Sequence, residues 1–235
     1  MSLYIKRAAV IFAVMMFSVS YLTLTLYNRD FKGVFSPSNG KTVVIDAGHG
    51  APDGGAEAQD GTSEDKINLE ISKKLRAILE EKCYNVIMTR ETDEGIYSAG
   101  NSVREKKLSD MHNREKIMNC SGADIFISIH MNKFSDPGVF GAQVFYSAGS
   151  EDSKLLAEQI QSELLTLDKN NKRVSKEAEA SIYLLKKAKL PAVIAECGFL
   201  SNPAECEKLK TDEYKSELAN AIFRGIENYF KERNT

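Results

Sequence analysis

The sequence has no surplus of positive charge: 31 lysines and arginines stand against 33 aspartates and glutamates, a formal net charge of -2. Nothing in that balance suggests the basic surface that neutralises phosphates, so a nucleic-acid partner is disfavoured. Cysteine is sparse. Cys83, Cys120, Cys197 and Cys206 are scattered, and none forms the C-x-x-C pair of a metal knuckle. Four thiols permit disulfides in an oxidising compartment, but their spacing assigns no partners and no disulfide is expected from it. Internal repeats and low-complexity tracts are missing. So are the G-x-S-x-G turn of serine hydrolases and the H-E-x-x-H helix of common zinc peptidases. Gly48-His49-Gly50 sits where a dinucleotide fingerprint would start, but Asp53 occupies the place of the third glycine, so that reading fails.

Charge is also absent from one long stretch. Lys6 and Arg7 precede twenty uncharged residues, Ala8 to Tyr27, and Asn28-Arg29-Asp30 ends the run. About twenty apolar residues suffice to cross a hydrocarbon core of ~30 Å, and early basic residues tend to stay on the cytoplasmic side. Residues 1–27 are therefore expected to be a membrane anchor with the rest of the chain outside the cell. A cleaved export signal is the alternative, because Ala8 to Phe17 resembles a short apolar core and Ser18-Val19-Ser20 supplies small residues for cleavage. Residues 28–40, with Gly33, Pro37, Asn39 and Gly40, read as a spacer. Residues 41–235 are then one folded domain, a size a single core can sustain.

Within that domain short β-branched runs alternate with helical patterns. Thr42 to Ile45 predicts a strand, and Ile67, Ile71, Leu75, Ile78 and Leu79 recur at helical spacing. Further strands are expected at Asn85 to Met88, Asp124 to His130, Ala142 to Tyr146, Ile182 to Leu185 and Ala192 to Glu196. Further helices are expected around Ser109 to Asn119, over Ser153 to Leu167, and at the C-terminus with Leu218, Ile222, Ile226 and Tyr229 inward. Such an order predicts an α/β fold: a single, mostly parallel, mixed sheet of about six strands with helices on both faces. Glu91 to Lys107 and Asp168 to Ala180 read as loops close to the site.

Of only three histidines, His49 and His130 each follow a strongly apolar strand, so both should emerge at the carboxyl edge of the sheet, where ligands bind in parallel α/β folds. Gly48 and Gly50 beside His49 permit the unusual backbone needed to turn a side chain toward a metal. Glu64 opens the next helix behind Thr62 or Ser63 as N-cap, on the same side of the sheet. An acid there is commonplace because it favours the positive end of the helix dipole. With two imidazoles, however, it completes the three-ligand set of catalytic zinc sites, which leave a fourth position open. Glu196 ends the run Pro191 to Ala195 and brings a second carboxylate to the same edge. Hydrolysis needs a group that takes a proton from the attacking water and returns one to the departing amine, and Glu196 fits that role. His112 lies within a helical stretch and reads as surface or structural.

These residues lie in four motifs: Val44-Ile45-Asp46-Ala47-Gly48-His49-Gly50, Glu64 before Asn68-Leu69, Ser128-Ile129-His130-Met131-Asn132, and Ala195-Glu196-Cys197-Gly198-Phe199-Leu200-Ser201-Asn202. Together they resemble the third family of zinc-dependent N-acetylmuramoyl-L-alanine amidases over about Lys41 to Phe230. The resemblance implies zinc held by His49, Glu64 and His130, Glu196 as the catalytic glutamate, and peptidoglycan as substrate, cut between N-acetylmuramic acid and L-alanine. Met131 departs from the alanine that many relatives carry there. The arrangement of anchor and amidase domain without appended wall-binding modules is similar to the sporulation amidases that act on spore cortex. Some family members need an activating protein, so such a partner is one option here. The alternatives are another zinc hydrolase of wall material, either a stem peptidase or a glycan deacetylase, and a non-catalytic muropeptide-binding module. Glu196 argues against the last, because a structural metal site has no need of it.

Overall fold

The computed structural model describes residues 39–233. The apolar run Ala8 to Tyr27 and most of the spacer lie outside them. Among the described residues, no helix is long and apolar enough to cross a membrane. The elements in chain order are β1 (Thr42–Ala47), α1 (Glu64–Glu81), β2 (Asn85–Met88), α2 (Val103–Cys120), β3 (Ile125–Asn132) and β4 (Gln143–Tyr146). They continue with α3 (Glu151–Leu165), β5 (Lys176–Glu177), α4 (Tyr183–Lys187), β6 (Ala192–Phe199), α5 (Pro203–Lys210) and α6 (Asp212–Arg233).

One six-stranded sheet runs in the order β2-β1-β3-β6-β4-β5. The first four are parallel, β4 is antiparallel to β6, and β5 is parallel to β4. The α/β mixed sheet expected from the sequence is present. Strand order reverses at β1, which lies between β2 and β3. Because crossovers are right-handed, a connection running one way and the next running back place their helices on opposite faces. Side chains alternate accordingly. Val43, Ile45, Ile125, Ile127, Ile129, Val193 and Ala195 face the larger half of the core with the apolar stripes of α1, α3 and α6. Val44, Phe126, Ala192 and Ile194 face a smaller half, closed by Met118 of α2 and by Leu184 and Leu185 of α4.

Three details differ from the sequence expectations. Ile182 to Leu185 does not form a strand: Tyr183–Lys187 is the short helix α4. A brief apolar run carries no decisive period, and here Tyr, Leu and Lys outnumber the one β-branched residue. The sixth strand is instead Lys176–Glu177, two exposed charged residues within the stretch read as a loop. Helix α2 starts at Val103, earlier than expected, because Ser102 and Glu105 form a reciprocal capping box that satisfies the otherwise orphaned amides. All four cysteines are free thiols.

Candidate metal centre and active site

The period-two alternation that builds the smaller half of the core also builds the site. One step beyond Val44 and Phe126, on the same face, lie Asp46, Ser128 and Ile194, which are neighbours across β1, β3 and β6. One step further, His130 pairs with Glu196. The buried face thus turns from apolar to polar toward the carboxyl ends of the strands. Gly48 sits beside His130 at this level, its amide donating to the Ile129 carbonyl at 3.1 Å. A β-carbon on Gly48 would collide with the His130 ring, so the close approach of the two strands' ends depends on glycine there.

His49 follows with φ 61°, a left-handed backbone that non-glycine residues seldom adopt. Two buried arginines hold this turn. Arg90 donates to the carbonyls of Ala47 at 2.9 Å and Gly48 at 3.0 Å. Arg114 donates to Ala47 at 2.8 Å and also to the His49 carbonyl. Three successive carbonyls are thereby satisfied by two guanidiniums, which offsets the cost of the strained residue.

Glu64 enters from the N-terminus of α1 and lies between the two imidazoles. His130 Nδ1 is 2.9 Å from Glu64 Oε1, and His49 Nε2 is 3.3 Å from Oε2. Backbone amides of Met131 at 3.0 Å and Ala56 at 2.7 Å donate to the same two oxygens. Ser63 stands at the N-cap without a side-chain cap bond. The ring centroids of His49 and His130 are 5.0 Å apart. Potential ligand atoms of His49, Glu64 and His130 all fall within 4.8 Å of one another, a group that could hold one metal ion.

Electrostatics at the site are strongly perturbed. Burial opposes charge on His49, but hydrogen bonds to Asp53 and Glu64 outweigh it and raise the imidazole to about 9. Burial likewise opposes charge on Glu64, and the two histidines overcome it to hold the carboxyl well below its ordinary range. Glu196 goes the other way: burial, aided by the nearby charge of Glu64 and opposed by His130, pushes it up to about 7. Its Oε2 is buried and makes no hydrogen bond among the described residues. A carboxyl that titrates near neutrality and keeps a free oxygen at a cluster of metal-type ligands is suited to proton transfer.

Residues 43–228 match the family Amidase_3, N-acetylmuramoyl-L-alanine amidase. The chain belongs to this amidase family. It is 36% identical over 207 residues to the germination-specific N-acetylmuramoyl-L-alanine amidase of Bacillus subtilis, covering 88% of this chain and 86% of that one. Among solved structures it is similar to the CwlD amidase of Clostridioides difficile in complex with the GerS lipoprotein, with TM-score 0.79 and 43% identity over 82% of this chain and 99% of the other. It also matches an N-acetylmuramoyl-L-alanine amidase of Clostridium difficile 630, with TM-score 0.72 and 31% identity over 83% of this chain and 98% of that one.

The amidase brings His49, Glu64, His130 and Glu196 to one sheet edge. Of the two stretches read as loops near the site, Glu91 to Lys107 does border it, contributing Tyr97, Lys106 and Lys107 to the adjoining cavity. Asp168 to Ala180 contributes nothing to that cavity. His112 is exposed, its ring 5.9 Å from that of Tyr183.

Several supporting residues escaped the sequence reading. Asp53 Oδ2 lies 2.9 Å from His49 Nδ1, and Lys107 bonds the same oxygen at 2.9 Å. Asn68 donates to Gly48 O at 3.1 Å and to Glu64 Oε1 at 3.2 Å. A carboxylate four residues after His49 in a glycine-rich turn, and an amide four residues after Glu64 on one helix, were the available signals. The two arginines gave none, since arginine is seldom fully buried.

Asp46 ties this scaffold together, accepting from Thr89 at 2.7 Å, Ser128 at 2.6 Å and the buried Arg114. Burial pushes its carboxyl up, but Arg114 and the two hydroxyls outweigh this and lower it below the ordinary value of 3.8. A depressed folded-state value means that the stabilisation is complete above pH 3.8 and is lost as pH falls through the lower, folded value. Asp46→Asn leaves the buried Arg114 with Asp110 as its remaining carboxylate partner, so it should cost less than the roughly 3–5 kcal/mol of stranding a buried charge outright at neutral pH. In urea denaturation, the gap between wild type and variant should narrow only in strong acid. A gap independent of pH would show that the pair contributes nothing as a charge pair.

Proposed function

We propose that this amidase is a zinc hydrolase that cleaves the bond between N-acetylmuramic acid and L-alanine in peptidoglycan, with the metal held by His49, Glu64 and His130. The observation that carries this reading is the convergence of those side chains beside the unpartnered carboxyl oxygen of Glu196. Two imidazoles and one carboxylate fit a catalytic zinc, which takes three protein ligands and leaves a position open. When bound, zinc supplies Lewis-acid polarisation of the scissile carbonyl and lowers the pKa of water.

The remaining work falls to the chain's own residues. Asp53 accepts the Nδ1 proton of His49 and so fixes the ring orientation and leaves Nε2 free to coordinate. His49 and, after it, Lys107 keep Asp53 ionised: burial raises that carboxyl, but the two partners bring it down to about 2. Asn68 orients Glu64. Glu196 takes the proton of the attacking water and delivers it to the alanine amine as the C–N bond breaks, acting as base and then acid.

We further propose that residues 1–27 anchor the protein and residues 41–235 form the catalytic domain on the outer side of the membrane, a placement supported by Lys6-Arg7 ahead of the apolar run. The likeness to a germination-specific amidase favours a substrate in spore cortex. The complex of the CwlD relative with a lipoprotein favours a protein partner.

Purified full-length protein incubated with intact peptidoglycan should release stem peptides that begin with L-alanine. Release should stop on chelation and return with zinc. Fragments cut within the stem, or deacetylated glycan, would point to the neighbouring hydrolase classes instead.

A further inference from the structure

Beside His49 and His130 lies a cavity of about 230 Å³ whose walls include Tyr97, Met111, Ile182, Tyr183, Leu184 and Lys106. Its acidic residues are already paired. Asp53 is bonded to Lys107, and both Asp46 and Asp110 are bonded to Arg114. Lys106 differs. Among the described residues it has no ion pair with a carboxylate, and its ammonium sits over the Tyr97 ring, 4.8 Å from the centroid.

That cation is held in place. Lys106 stands in the first turn of α2, fixed by the Ser102 and Glu105 capping box. The loop carrying Tyr97 is pinned to the same helix: the Ile96 amide donates to Asp110 and the Ile96 carbonyl accepts from Asn113, each at 2.6 Å. Gly100 packs so closely on the helix start that a β-carbon would approach the Lys106 amide nitrogen to 2.6 Å. A lysine positioned in this way forfeits little freedom when it binds an anion.

We propose that Lys106 is a specificity-determining residue that binds the free α-carboxylate of the stem-peptide residue following L-alanine. This rests on the amidase reading. The sugars near the scissile amide are neutral and the lactyl carboxyl is consumed in that amide, so the nearest anion the substrate offers is on the peptide. The cavity's apolar walls suit the aliphatic part of that residue, with the carboxylate directed to the cation above Tyr97. Because the contact lies away from the reacting bond, it is made equally in ground and transition states and is read in KM rather than kcat.

The test uses two muropeptides that differ only at this group, free carboxylate against amide, with the full-length wild-type protein and Lys106→Met. Wild type should prefer the carboxylate form by about tenfold in kcat/KM, as a charge-assisted bond at a part-exposed site would give. Lys106→Met should erase the preference by raising KM for that form alone, with kcat retained and the amidated substrate unaffected. Lys116→Met, which removes the same charge from an exposed position of α2, should leave the preference intact. Equal turnover of both substrates by wild type, or an equal loss on both in Lys106→Met, overturns the assignment while the amidase reading stands. Hydrolysis of neither substrate by wild type overturns both.

Discussion

Glu196→Gln should retain zinc and fold while kcat falls by about 10³–10⁴, the upper part of the range for general acid–base assistance. The amide keeps the size of the side chain but cannot accept a proton from water or return one to the leaving amine, so both halves of the reaction suffer. Folding should be little affected, because the buried Oε2 of Glu196 has no hydrogen bond to lose among the described residues. Substrate affinity should change far less than turnover, and a residual rate should remain from carbonyl polarisation. Metal content, a thermal melt and kcat on a single muropeptide decide the matter. A folded, zinc-loaded variant with near-normal turnover would remove Glu196 from the chemistry.

Removing a ligand should give the opposite pattern. His130→Ala would delete one of the three proposed donors, so zinc affinity should fall by more than the roughly 10–100-fold typical of losing an outer-shell partner, and turnover should fall with it. Asp53→Asn, which weakens the support of His49 and releases Lys107 but removes no proposed ligand, should lie within that smaller range. Competition with a chelator of known affinity ranks the three proteins. If His130→Ala bound a full equivalent of zinc as tightly as wild type, the proposed ligand set would be wrong.

Much of this architecture is legible along the chain because the residues that form it obey short-range rules. Val43 to Ile45 and Ile125 to Ile127 are continuous apolar runs since both faces of the sheet are covered, and the polar residues that follow such a run mark the carboxyl edge. His49, His130 and Glu196 are found that way, and Glu64 through its place at a helix start. Arg90 and Arg114 are not, because their role is set by approach in space: Arg114 meets Asp46 across 68 positions of sequence. The strand expected at Ile182 to Leu185 gives way to the helix Tyr183–Lys187 for a related reason. Leu184 and Leu185 are both buried and Lys186 and Lys187 are both exposed, a stretch too short for a helical period to show. Lys176–Glu177 has the converse problem, for its pairing with Phe145 and Tyr146 leaves two exposed charged side chains with no apolar signature.

The unequal halves of the core bear on how this enzyme could diversify. Most of the buried apolar residues lie on one face, locked between the sheet and the long helices α1, α3 and α6, and α1 reaches the site at its N-terminal end through Glu64 and Asn68. The cavity and the His130–Glu196 pair lie on the thinner side, under α2, α4 and the loop from Glu91. The thick side therefore acts as a reserve of stability against which changes on the thin side can be drawn. Partly buried pocket residues such as Met111 and Ile182 can be exchanged to suit a differently built wall peptide while the framework that aims His49 and His130 remains in place. The lining of the cavity and the bulk of the core thus lie largely on opposite surfaces of one sheet, and selection can act on the first without immediately jeopardising the second.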